Sequence, residues 1–423
     1  MPHAPQQDAS LDTWLDYLLA LHPTEIDMGL TRVLKVASLM GLTHLGRAKV
    51  VTVAGTNGKG TTCAMVEQIL RLSGLRVGVY SSPHMLKYNE RVRIEGEDAS
   101  DSDLIEAFEA IERHRGDISL TFFEYATLAG LYLFKAADLD AVILEVGLGG
   151  RLDATNIIDA DISVVTAVDL DHQLFLGDTR EAVGREKAGI FRRQRPAVIG
   201  EPDLPASVDE TAIALGAIPY RVGREFSYQP HGHSWDFNGR VFHLTDIPLP
   251  ALPLPNAATA IAVIEMGWPE TAPAVIYEGI ATARLAGRLE RVSEQPLIML
   301  DVAHNPHAAR YLAKRLYPIK AALEGGGRLF ALCGMLKDKD IAGVLPELLE
   351  LVDAWYLVSL SGERGASAQQ LHSALPAACE AHEFDDLAAA WEALNTQITA
   401  DDVVIVFGSF YTVAGFKSLL DGK

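Results

Sequence analysis

The sequence has few of the features that mark secreted or metal-stapled proteins. Its 423 residues include only three cysteines, Cys63, Cys333 and Cys379. They are far apart, show no metal-ligand spacing and are odd in number, so we expect no disulfide framework and no zinc site. This cysteine usage favours a reducing, cytoplasmic setting.

Long apolar runs and an excess of positive charge are also lacking. No run approaches the roughly 18 apolar residues of a membrane span, and the first residues do not resemble a signal peptide. Lys and Arg number 36 against 56 Asp and Glu, a formal net charge of −20. We therefore expect neither a membrane association nor a nucleic-acid partner. An acidic protein that binds an anionic nucleotide must gather cations and metal ions in one cleft.

Short apolar runs alternate with segments of helical period, which predicts an α/β protein with mostly parallel sheets. The predicted strands are Lys49–Ala54, Arg76–Tyr80, Asp140–Val146, Ile162–Val168, Pro296–Val302, Arg328–Gly334, Ala354–Leu360 and Val403–Gly408. The predicted helices are Thr61–Leu72, Thr121–Ala137, Asn256–Arg284, Asp340–Leu351 and Asp386–Thr396. Ile247–Pro255, with four prolines, is predicted to be extended. The alternation restarts near Leu285–Arg291, where we place a domain boundary.

The segment Gly55–Thr61 lies between a predicted strand and a predicted helix, as a phosphate-binding loop does. Glycines let the backbone approach phosphates, and a helix N-terminus offers N–H donors. Lys59 would reach the β- and γ-phosphates of ATP, and a hydroxyl from Thr61 or Thr62 can face a metal. The strict motif would need glycine at position 53 and serine or threonine at position 60. A glycine turn with an incidental lysine is the alternative, which the strand–loop–helix context disfavours.

Two further predicted strands end in side chains that can hold a metal. Glu145 closes one of them, the usual place for a magnesium-coordinating acid beside a phosphate loop. Asp169–His172 follows another, and His172 can ligate a metal through a neutral nitrogen. The alternatives are an acid paired with a neighbouring base and a structural histidine.

Two more segments have plain structural interpretations beside the functional ones. Lys187 follows Arg185 and Glu186, a pattern that by itself predicts a solvated lysine on a charged helix. Asp301–Pro306 ends the first strand of the second domain, and we expect its acid, imidazole and amide to face a cleft between the domains. The same segment predicts a helix capped by Asn305.

In this order, the segments resemble the Mur ligase superfamily and, within it, the folylpolyglutamate synthases, especially the bacterial bifunctional dihydrofolate synthase/folylpolyglutamate synthases. The resemblance runs from Leu11 to about Ala414. The motifs that carry it are Glu25–Leu30, Ala54–Thr62, Ser81–His84, Tyr88–Arg93, Glu145–Asn156, Arg185–Ile190, Pro255–Ala258, Gly287–Arg288, Asp301–Pro306 and Gly408–Phe410. It implies an α/β fold with a P-loop-containing, Mur ligase-like ATPase and pterin-binding domain (1–286). A smaller Rossmann-like α/β glutamate ligase domain (287–423) would follow.

The resemblance implies an ATP-dependent ligase that adds L-glutamate to dihydropteroate, making dihydrofolate, and to reduced folates. The acceptor carboxylate would attack the γ-phosphate to form an acyl phosphate, and the amine of glutamate would then displace phosphate. Two anions must meet in this reaction, so two Mg²⁺ ions and Lys59 would screen their repulsion.

The resemblance also assigns site residues. Those around ATP are Thr56, Asn57, Gly58, Lys59, Gly60, Thr61, Asn256, Arg288 and Asp301. The Mg²⁺ ligands are Ser82, Glu145, His172 and Lys187, the last as a carbamylated lysine whose anion would hold a second ion. The catalytic residues are Lys59, Lys187 and His304, with His304 near the phosphates and glutamate.

The pterin-binding residues implied by the resemblance come from three segments: Glu25, Ile26, Asp27, Met28, Thr121, Phe122, Phe123, Glu124, Leu152, Asp153 and Ala154. Phe122 and Phe123 would offer a flat aromatic face, although helix core is the alternative. The sequence departs from the family in two places. Related enzymes usually carry Thr-Asp-Trp-Leu-Gly after His172, where this chain has Gln173–Gly177, and threonine is common where Glu25 stands. Leu174 cannot replace the polar family residue, a change that can alter metal affinity.

Two other functions remain as alternatives. A Mur-type ligase acting on another carboxylate, such as a UDP-sugar peptide, would carry a UDP-binding domain ahead of the P-loop. Only 54 residues precede Gly55, too few for a typical domain. A regulatory P-loop NTPase would not need Asp301–Pro306 or a carbamylatable lysine. No periodic apolar stripe indicates an oligomer, so we expect a monomer.

Overall fold

The apolar strands form the centres of two separate sheets, one in each of two units, Met1–Ala283 and Arg284–Lys423. The computed structural model describes residues 3–6, 8–24, 26–323 and 326–422. Within that part of the chain, no helix combines the length and apolarity needed to cross a membrane.

The elements are numbered in chain order. The α-helices are α1 (Leu11–Leu21), α2 (Thr31–Leu39), α3 (Lys59–Leu72), α4 (Asp101–Arg115), α5 (Phe122–Ala136), α6 (Gln173–Leu176), α7 (Arg180–Ala188), α8 (Ala206–Leu215), α9 (Leu254–Gly267), α10 (Pro273–Thr282), α11 (Pro306–Ala321), α12 (Ile341–Val344), α13 (Ala368–His372), α14 (Leu387–Asn395) and α15 (Phe410–Leu420). The strands are β1 (Lys49–Ala54), β2 (Val77–Tyr80), β3 (Val92–Ile94), β4 (Glu97–Asp98), β5 (Ala141–Glu145), β6 (Ile162–Val165), β7 (Pro196–Ile199), β8 (Ile218–Arg221), β9 (Ser227–His231), β10 (Ser234–Asn238), β11 (His243–Pro248), β12 (Glu290–Glu294), β13 (Leu297–Asp301), β14 (Leu329–Cys333), β15 (Ala354–Val358), β16 (Ala381–Phe384) and β17 (Val403–Phe407). Three 3₁₀ helices span Tyr88–Arg91, Ala154–Ile157 and Leu345–Leu348.

The large sheet of unit 1 has the strand order β4-β3-β2-β5-β1-β6-β7-β8. The six strands from β2 to β8 in that order run parallel, and β3 and β4 complete one edge in antiparallel fashion. The central strands are apolar and almost wholly buried because helices cover both faces of a parallel sheet. The predicted parallel α/β architecture is confirmed.

A three-stranded antiparallel sheet, β9 to β11, stands apart from the large sheet. Glu265 on α9 attaches it: this carboxylate is 2% exposed and accepts from the backbone N–H groups of Val241 and Phe242 and from the hydroxyl of Tyr220. Three donors offset the cost of burying one charge. This small sheet was not predicted from the sequence.

Unit 2 contains a six-stranded sheet of order β12-β13-β17-β14-β15-β16. All neighbours are parallel except β12, which is antiparallel to β13 at the edge. The side chains of β14, β15 and β17 are buried, as expected for strands covered on both faces.

Several predicted elements need correction at their ends. Asp340–Leu351 is not one helix: α12 is followed by a 3₁₀ helix, because Pro346 cannot continue an α-helix. Asn256–Arg284 is two helices, interrupted where Pro269 and Pro273 lie. The predicted extended segment Ile247–Pro255 ends early, since α9 begins at Leu254 with proline in its first turn.

Candidate active site

The carboxyl ends of the parallel strands in unit 1 bring the predicted nucleotide and metal segments to one edge of the sheet. The strands β2, β5, β1 and β6 are consecutive neighbours there. They lead respectively into Ser82, Glu145, the loop Gly55–Gly58 and the segment 166–172. Ligands of open α/β sheets collect at this edge.

The phosphate loop is held by the strand beside it. The hydroxyl of Thr166, just after β6, donates to the carbonyl oxygen of Asn57 at 2.6 Å. Gly55 lies directly against this hydroxyl, and a Cβ at that position would come within 1.9 Å of it. Thr56 adds a second tie, because its N–H donates to the carbonyl of Ala167 at 2.8 Å and its hydroxyl to the carbonyl of Asp169 at 2.9 Å. The predicted strand Ile162–Val168 ends at Val165 because the residues after it make these bonds.

The predicted ATP-binding residues Lys59, Thr61 and Asn256 also meet at this loop. The Lys59 Nζ donates to the carbonyl of Gly55 at 2.9 Å, so the ammonium lies folded over the loop. The Asn256 amide donates to the Thr61 hydroxyl at 2.7 Å. Gly58 is the N-cap of α3, with a φ of 87°.

Gly58→Ala is expected to raise the KM for ATP by about tenfold or more, the effect of losing one charge-assisted contact. A left-handed φ of 87° disfavours alanine, and the new Cβ would lie 2.6 Å from the Asn256 Oδ1. Steady-state kinetics against ATP concentration measures this. The matched control is Gly74→Ala, where φ is 80° but the surroundings are open. It should lower stability and leave the KM for ATP unchanged, and equal effects on KM would contradict the expectation.

The residues predicted to hold Mg²⁺ differ in exposure. Glu145 is 6% exposed at the end of β5, Ser82 is half-buried, and His172 is exposed on the loop after β6. The His172 backbone has a φ of 50°, and its Nε2 lies 3.8 Å from an oxygen of Asp171. The Thr62 hydroxyl in the first turn of α3 is fully buried without a hydrogen-bond partner among the described residues. A buried carboxylate with hydroxyl oxygens at one strand edge fits a hard divalent cation.

Lys187 is buried, contrary to the solvated lysine that its sequence neighbours predict. It is only 4% exposed near the end of α7. Burial first, and then the charge of Lys59, lower the pKa of Lys187 to about 7, while Asp171 and Asp153 oppose the shift. An amine with this pKa is substantially neutral near pH 7 and therefore nucleophilic.

The end of α7 is buried because it packs against a glycine-rich loop. A Cβ on Gly150 would lie 2.9 Å from the carbonyl oxygens of Glu186 and Lys187, so only glycine allows this approach. Arg151 donates its backbone N–H to the Glu186 carbonyl at 2.8 Å, and its guanidinium pairs with the Glu186 carboxylate. These contacts join two of the family motifs into one packed substructure, Glu145–Asn156 with Arg185–Ile190.

The three predicted pterin-binding segments converge at the start of α5. Arg32 joins two of them: its guanidinium lies 2.7 Å from the Asp27 carboxylate and 3.2 Å from that of Glu124. The third is reached through Gly147: a Cβ there would come within 2.6 Å of the Phe123 ring, and the Gly147 N–H donates to the Asp153 carboxylate at 3.0 Å. Arg32 had no signal in the sequence, because its two partners are far apart along the chain. Glu25 lies outside the described residues.

Several polar side chains in this group already bond to the protein. Thr121 and Glu124 form the capping box of α5, with Glu124 also held by Arg32. Asp153, 5% exposed, accepts from the N–H groups of Gly147 and Leu148 and from the N–H and hydroxyl of Thr155. Burial raises the pKa of Asp153, and these bonds oppose the shift. Asp153 therefore shapes the loop.

The apolar members of the same group differ in exposure. Phe122, Phe123 and Leu152 are half-buried, Met28 is half-buried against a neighbouring core cluster, and Ile26 is exposed. Ala154 is buried in the core, 4% exposed. The rings of Phe122 and Phe123 thus pack against the core and are partly accessible, and a flat aromatic face for a pterin stays a prediction.

The segment after His172, where the sequence departs from the family pattern, forms the short helix α6 (Gln173–Leu176). Leu174 is 97% exposed and Phe175 is 44% exposed, whereas Leu176 is buried. Leu174 therefore contributes no packing in this structure, and it adds no polar group near His172.

In unit 2, Asp301, His304 and Asn305 form a tight turn after β13. The Asp301 carboxylate accepts from the N–H groups of Leu289 at 3.0 Å and Ala303 at 2.8 Å, and burial raises its pKa. His304 Nδ1 bonds to the carbonyl of Val302 at 2.8 Å. Asn305 caps α11, as predicted. The Arg288 guanidinium lies 5.4 Å from the centre of the Phe410 ring.

The chain matches two family models. The Mur ligase middle domain matches residues 53–208, and the Mur ligase, glutamate ligase domain matches residues 287–410. A curated relative, the dihydrofolate synthase/folylpolyglutamate synthase of Escherichia coli, is 50% identical over 419 residues, covering 99% of this chain and 97% of the relative.

Solved structures of similar proteins agree with these matches. Escherichia coli FolC in complex with DHPP and ADP is 50% identical with a TM-score of 0.94, covering 99% of both chains. A bifunctional folylpolyglutamate synthase/dihydrofolate synthase with Mn, AMPPNP and L-glutamate bound is 50% identical with a TM-score of 0.92, covering 99% of this chain and 100% of the other.

Proposed function

The chain belongs to the dihydrofolate synthase/folylpolyglutamate synthase family of Mur ligases, a family of ligases that form carbon–nitrogen bonds, and from this premise we propose its substrates and the roles of its residues. We infer that it uses ATP to join L-glutamate to dihydropteroate and to reduced folates through an acyl phosphate. The observation that carries the proposal is the convergence of the phosphate loop, Glu145 and buried Lys187 on one substructure of unit 1.

The phosphate loop would bind ATP through backbone N–H groups at the start of α3. In the proposed complex the Lys59 ammonium leaves the Gly55 carbonyl for the β- and γ-phosphates, while Asn256 keeps Thr61 and Gly58 in place. The acceptor carboxylate then attacks the γ-phosphorus, ADP leaves, and an acyl phosphate forms. The neutral amine of glutamate attacks the acyl carbon, phosphate leaves, and the amine loses a proton as the amide forms.

A divalent cation is proposed at Ser82, Glu145 and His172, because the buried Glu145 carboxylate, the half-buried Ser82 hydroxyl and the exposed His172 imidazole follow neighbouring strands at one edge of the sheet. When bound, Mg²⁺ would neutralise charge on the phosphate oxygens. The related complex that holds Mn and AMPPNP supports the binding of a divalent cation with the nucleotide.

Lys187 is proposed to carry a carbamate. Its neutral amine would attack CO₂, forming the N–C bond and losing one proton. The carbamate is an anion, whereas the protonated amine of Lys187 would be a cation that repels Lys59. That reversal of sign would create a ligand for a second Mg²⁺ ion.

The pterin ring is proposed to lie at the start of α5, against Phe122, Phe123, Ile26, Met28 and Leu152. Thr121, Glu124, Asp153 and Ala154 would shape this surface, and Asp27 would be oriented by Arg32. The related complex with DHPP supports a pterin-binding role.

In unit 2, we assign Arg288 and Asp301 to nucleotide binding and His304 to the phosphate and glutamate steps. We also propose that the 1–286 and 287–423 division is the functional one, with the ligase domain second. A cytoplasmic location is proposed from the free cysteines Cys63, Cys333 and Cys379. A monomer is proposed as the working assembly.

The central test is ATP-dependent release of inorganic phosphate by the purified full chain. With dihydropteroate and L-glutamate both present, release should match dihydrofolate formation one for one, measured by mass spectrometry. Omitting either substrate should reduce release to background. Release that continues without both substrates would instead identify a regulatory NTPase, and activity only with another carboxylate would identify a different Mur-type ligase.

A further inference from the structure

Arg91 is a buried cation to which none of the roles above applies. It ends the 3₁₀ helix Tyr88–Arg91 and is 9% exposed. Among the residues that the structure describes, no aspartate or glutamate forms an ion pair with it. Arg115 is comparably buried, at 6%, and pairs with Glu112 at 2.7 Å. Buried charges are normally paired, so Arg91 is an exception that calls for an anion.

The nearest acid in sequence is already engaged. The Glu90 carboxylate accepts from the backbone N–H groups of Met85 at 2.6 Å, Leu86 at 2.8 Å and Lys87 at 2.7 Å. Glu90 therefore organises the loop after Ser82 and does not neutralise Arg91.

The groups that do contact Arg91 are neutral. Its Nε donates to His84 Nδ1 at 2.9 Å, so this ring nitrogen acts as an acceptor. Its guanidinium lies over two aromatic rings, 5.3 Å from the centre of Phe122 and 5.6 Å from that of Tyr88. The Tyr80 hydroxyl also bonds to the guanidinium, and it is neutral as well. Aromatic faces stabilise a cation, but none of these groups supplies the negative charge that a buried arginine normally meets.

The position of Arg91 indicates which anion it would meet. Its side chain covers Phe122, where the pterin is proposed to lie, and its backbone carbonyl accepts from the N–H of Ser81 at 2.9 Å, one residue before Ser82. The proposed acceptor has an aromatic ring system, which would lie near α5, and a carboxylate, which must reach the phosphate loop at the edge of the sheet. Arg91 lies between these two places, so the acceptor would pass close to its guanidinium. A planar guanidinium matches a carboxylate with two parallel hydrogen bonds.

We propose that Arg91 binds the carboxylate of the pteroyl acceptor and orients it for phosphorylation, which makes Arg91 a specificity-determining residue. This inference rests on the proposed function. It gives the Tyr88–Arg93 and Ser81–His84 motifs a role: Tyr88 and His84 hold the guanidinium, and Glu90 holds the loop beside it.

The test compares wild type with Arg91→Met, which keeps the length of the side chain and removes the charge. Dissociation constants are measured by calorimetry with the full chain and ADP, for dihydropteroate and for a dihydropterin that lacks the carboxylate-bearing ring. The variant should bind dihydropteroate about tenfold more weakly or worse, and the carboxylate-free pterin as wild type does. Its KM for ATP should not change.

Arg115→Met is the matched control, because it removes an equally buried arginine that has a carboxylate partner. It should lower the melting temperature and leave the dihydropteroate affinity unchanged, whereas Arg91→Met should lower the melting temperature less. Equal weakening of both pterins by Arg91→Met, or unchanged dihydropteroate affinity, would overturn the inference. Both measurements need only binding, so they test Arg91 even if no ligation is found with the wild type.

Discussion

Lys59→Met is expected to lower kcat by about 10³-fold or more, the range for removing a cation from a phosphoryl-transfer site. The Nζ is already within 2.9 Å of the Gly55 carbonyl at the start of the loop. It therefore lies beside the proposed phosphate site and would have only a short distance to move. Methionine keeps the length of the side chain but cannot neutralise the charge that develops between attacking and leaving oxygens.

Quenched-flow measurement of acyl-phosphate formation would locate the defect in the first chemical step. The control is Lys35→Met, which removes an exposed lysine from α2 and should leave kcat unchanged. A Lys59→Met enzyme that kept more than about a tenth of wild-type kcat would show that this lysine does not stabilise the transition state, since such a loss is below that of one lost donor.

Lys187→Ala is the second substitution with a large expected effect, a loss of about 10²–10³-fold in kcat, the scale for removing one preorganised electrostatic group. Because the pKa of Lys187 is lowered to about 7, protonation below that pH removes the neutral amine that reacts with CO₂. The wild-type rate at fixed CO₂ should thus fall as the pH drops below 7, and the variant should lack this dependence. Intact-protein mass spectrometry at high bicarbonate should detect one added CO₂ on the wild type alone.

Chemical rescue separates a carbamate from a structural lysine. A short carboxylate such as acetate can enter the space left in Lys187→Ala and supply the missing anion, so it should restore part of the rate. Lys187→Arg, which keeps a cation and cannot form the carbamate, should be inactive without rescue. Full activity of Lys187→Ala would exclude the carbamate, and restoration by ethylamine in place of acetate would indicate that the cation itself is required.

The parts of the site that the sequence revealed are those fixed by local chemistry. Glycines between an apolar strand and a helix mark the proposed phosphate loop, and an acid at the end of an apolar run marks Glu145 as the proposed metal ligand. Both depend on a few neighbouring residues, and the parallel sheet then brings them together. The capping of α11 by Asn305 is local in the same way.

The parts that sequence reasoning missed depend on contacts between distant segments. Lys187 has charged neighbours, yet it is buried because the end of α7 meets a loop at Gly150 that has no side chain there. Arg32 and Thr166 act through partners that are remote along the chain. The small sheet β9–β11 is stabilised from outside by Glu265, and its own strands carry too many polar residues to be recognised.

The paired bonds between Thr56 and the segment after β6 have one more consequence. The Thr56 hydroxyl donates to the Asp169 carbonyl and accepts from the Asp169 N–H at 3.0 Å, so this residue of the phosphate loop is fastened to the start of the segment that carries His172. A nucleotide that shifts the loop must also shift that segment. Thermodynamic linkage then makes the effect mutual. If nucleotide binding changes the affinity of a metal at His172 by some factor, metal binding changes the affinity of the nucleotide by the same factor. The two ligands would therefore share one conformational equilibrium, through a single threonine.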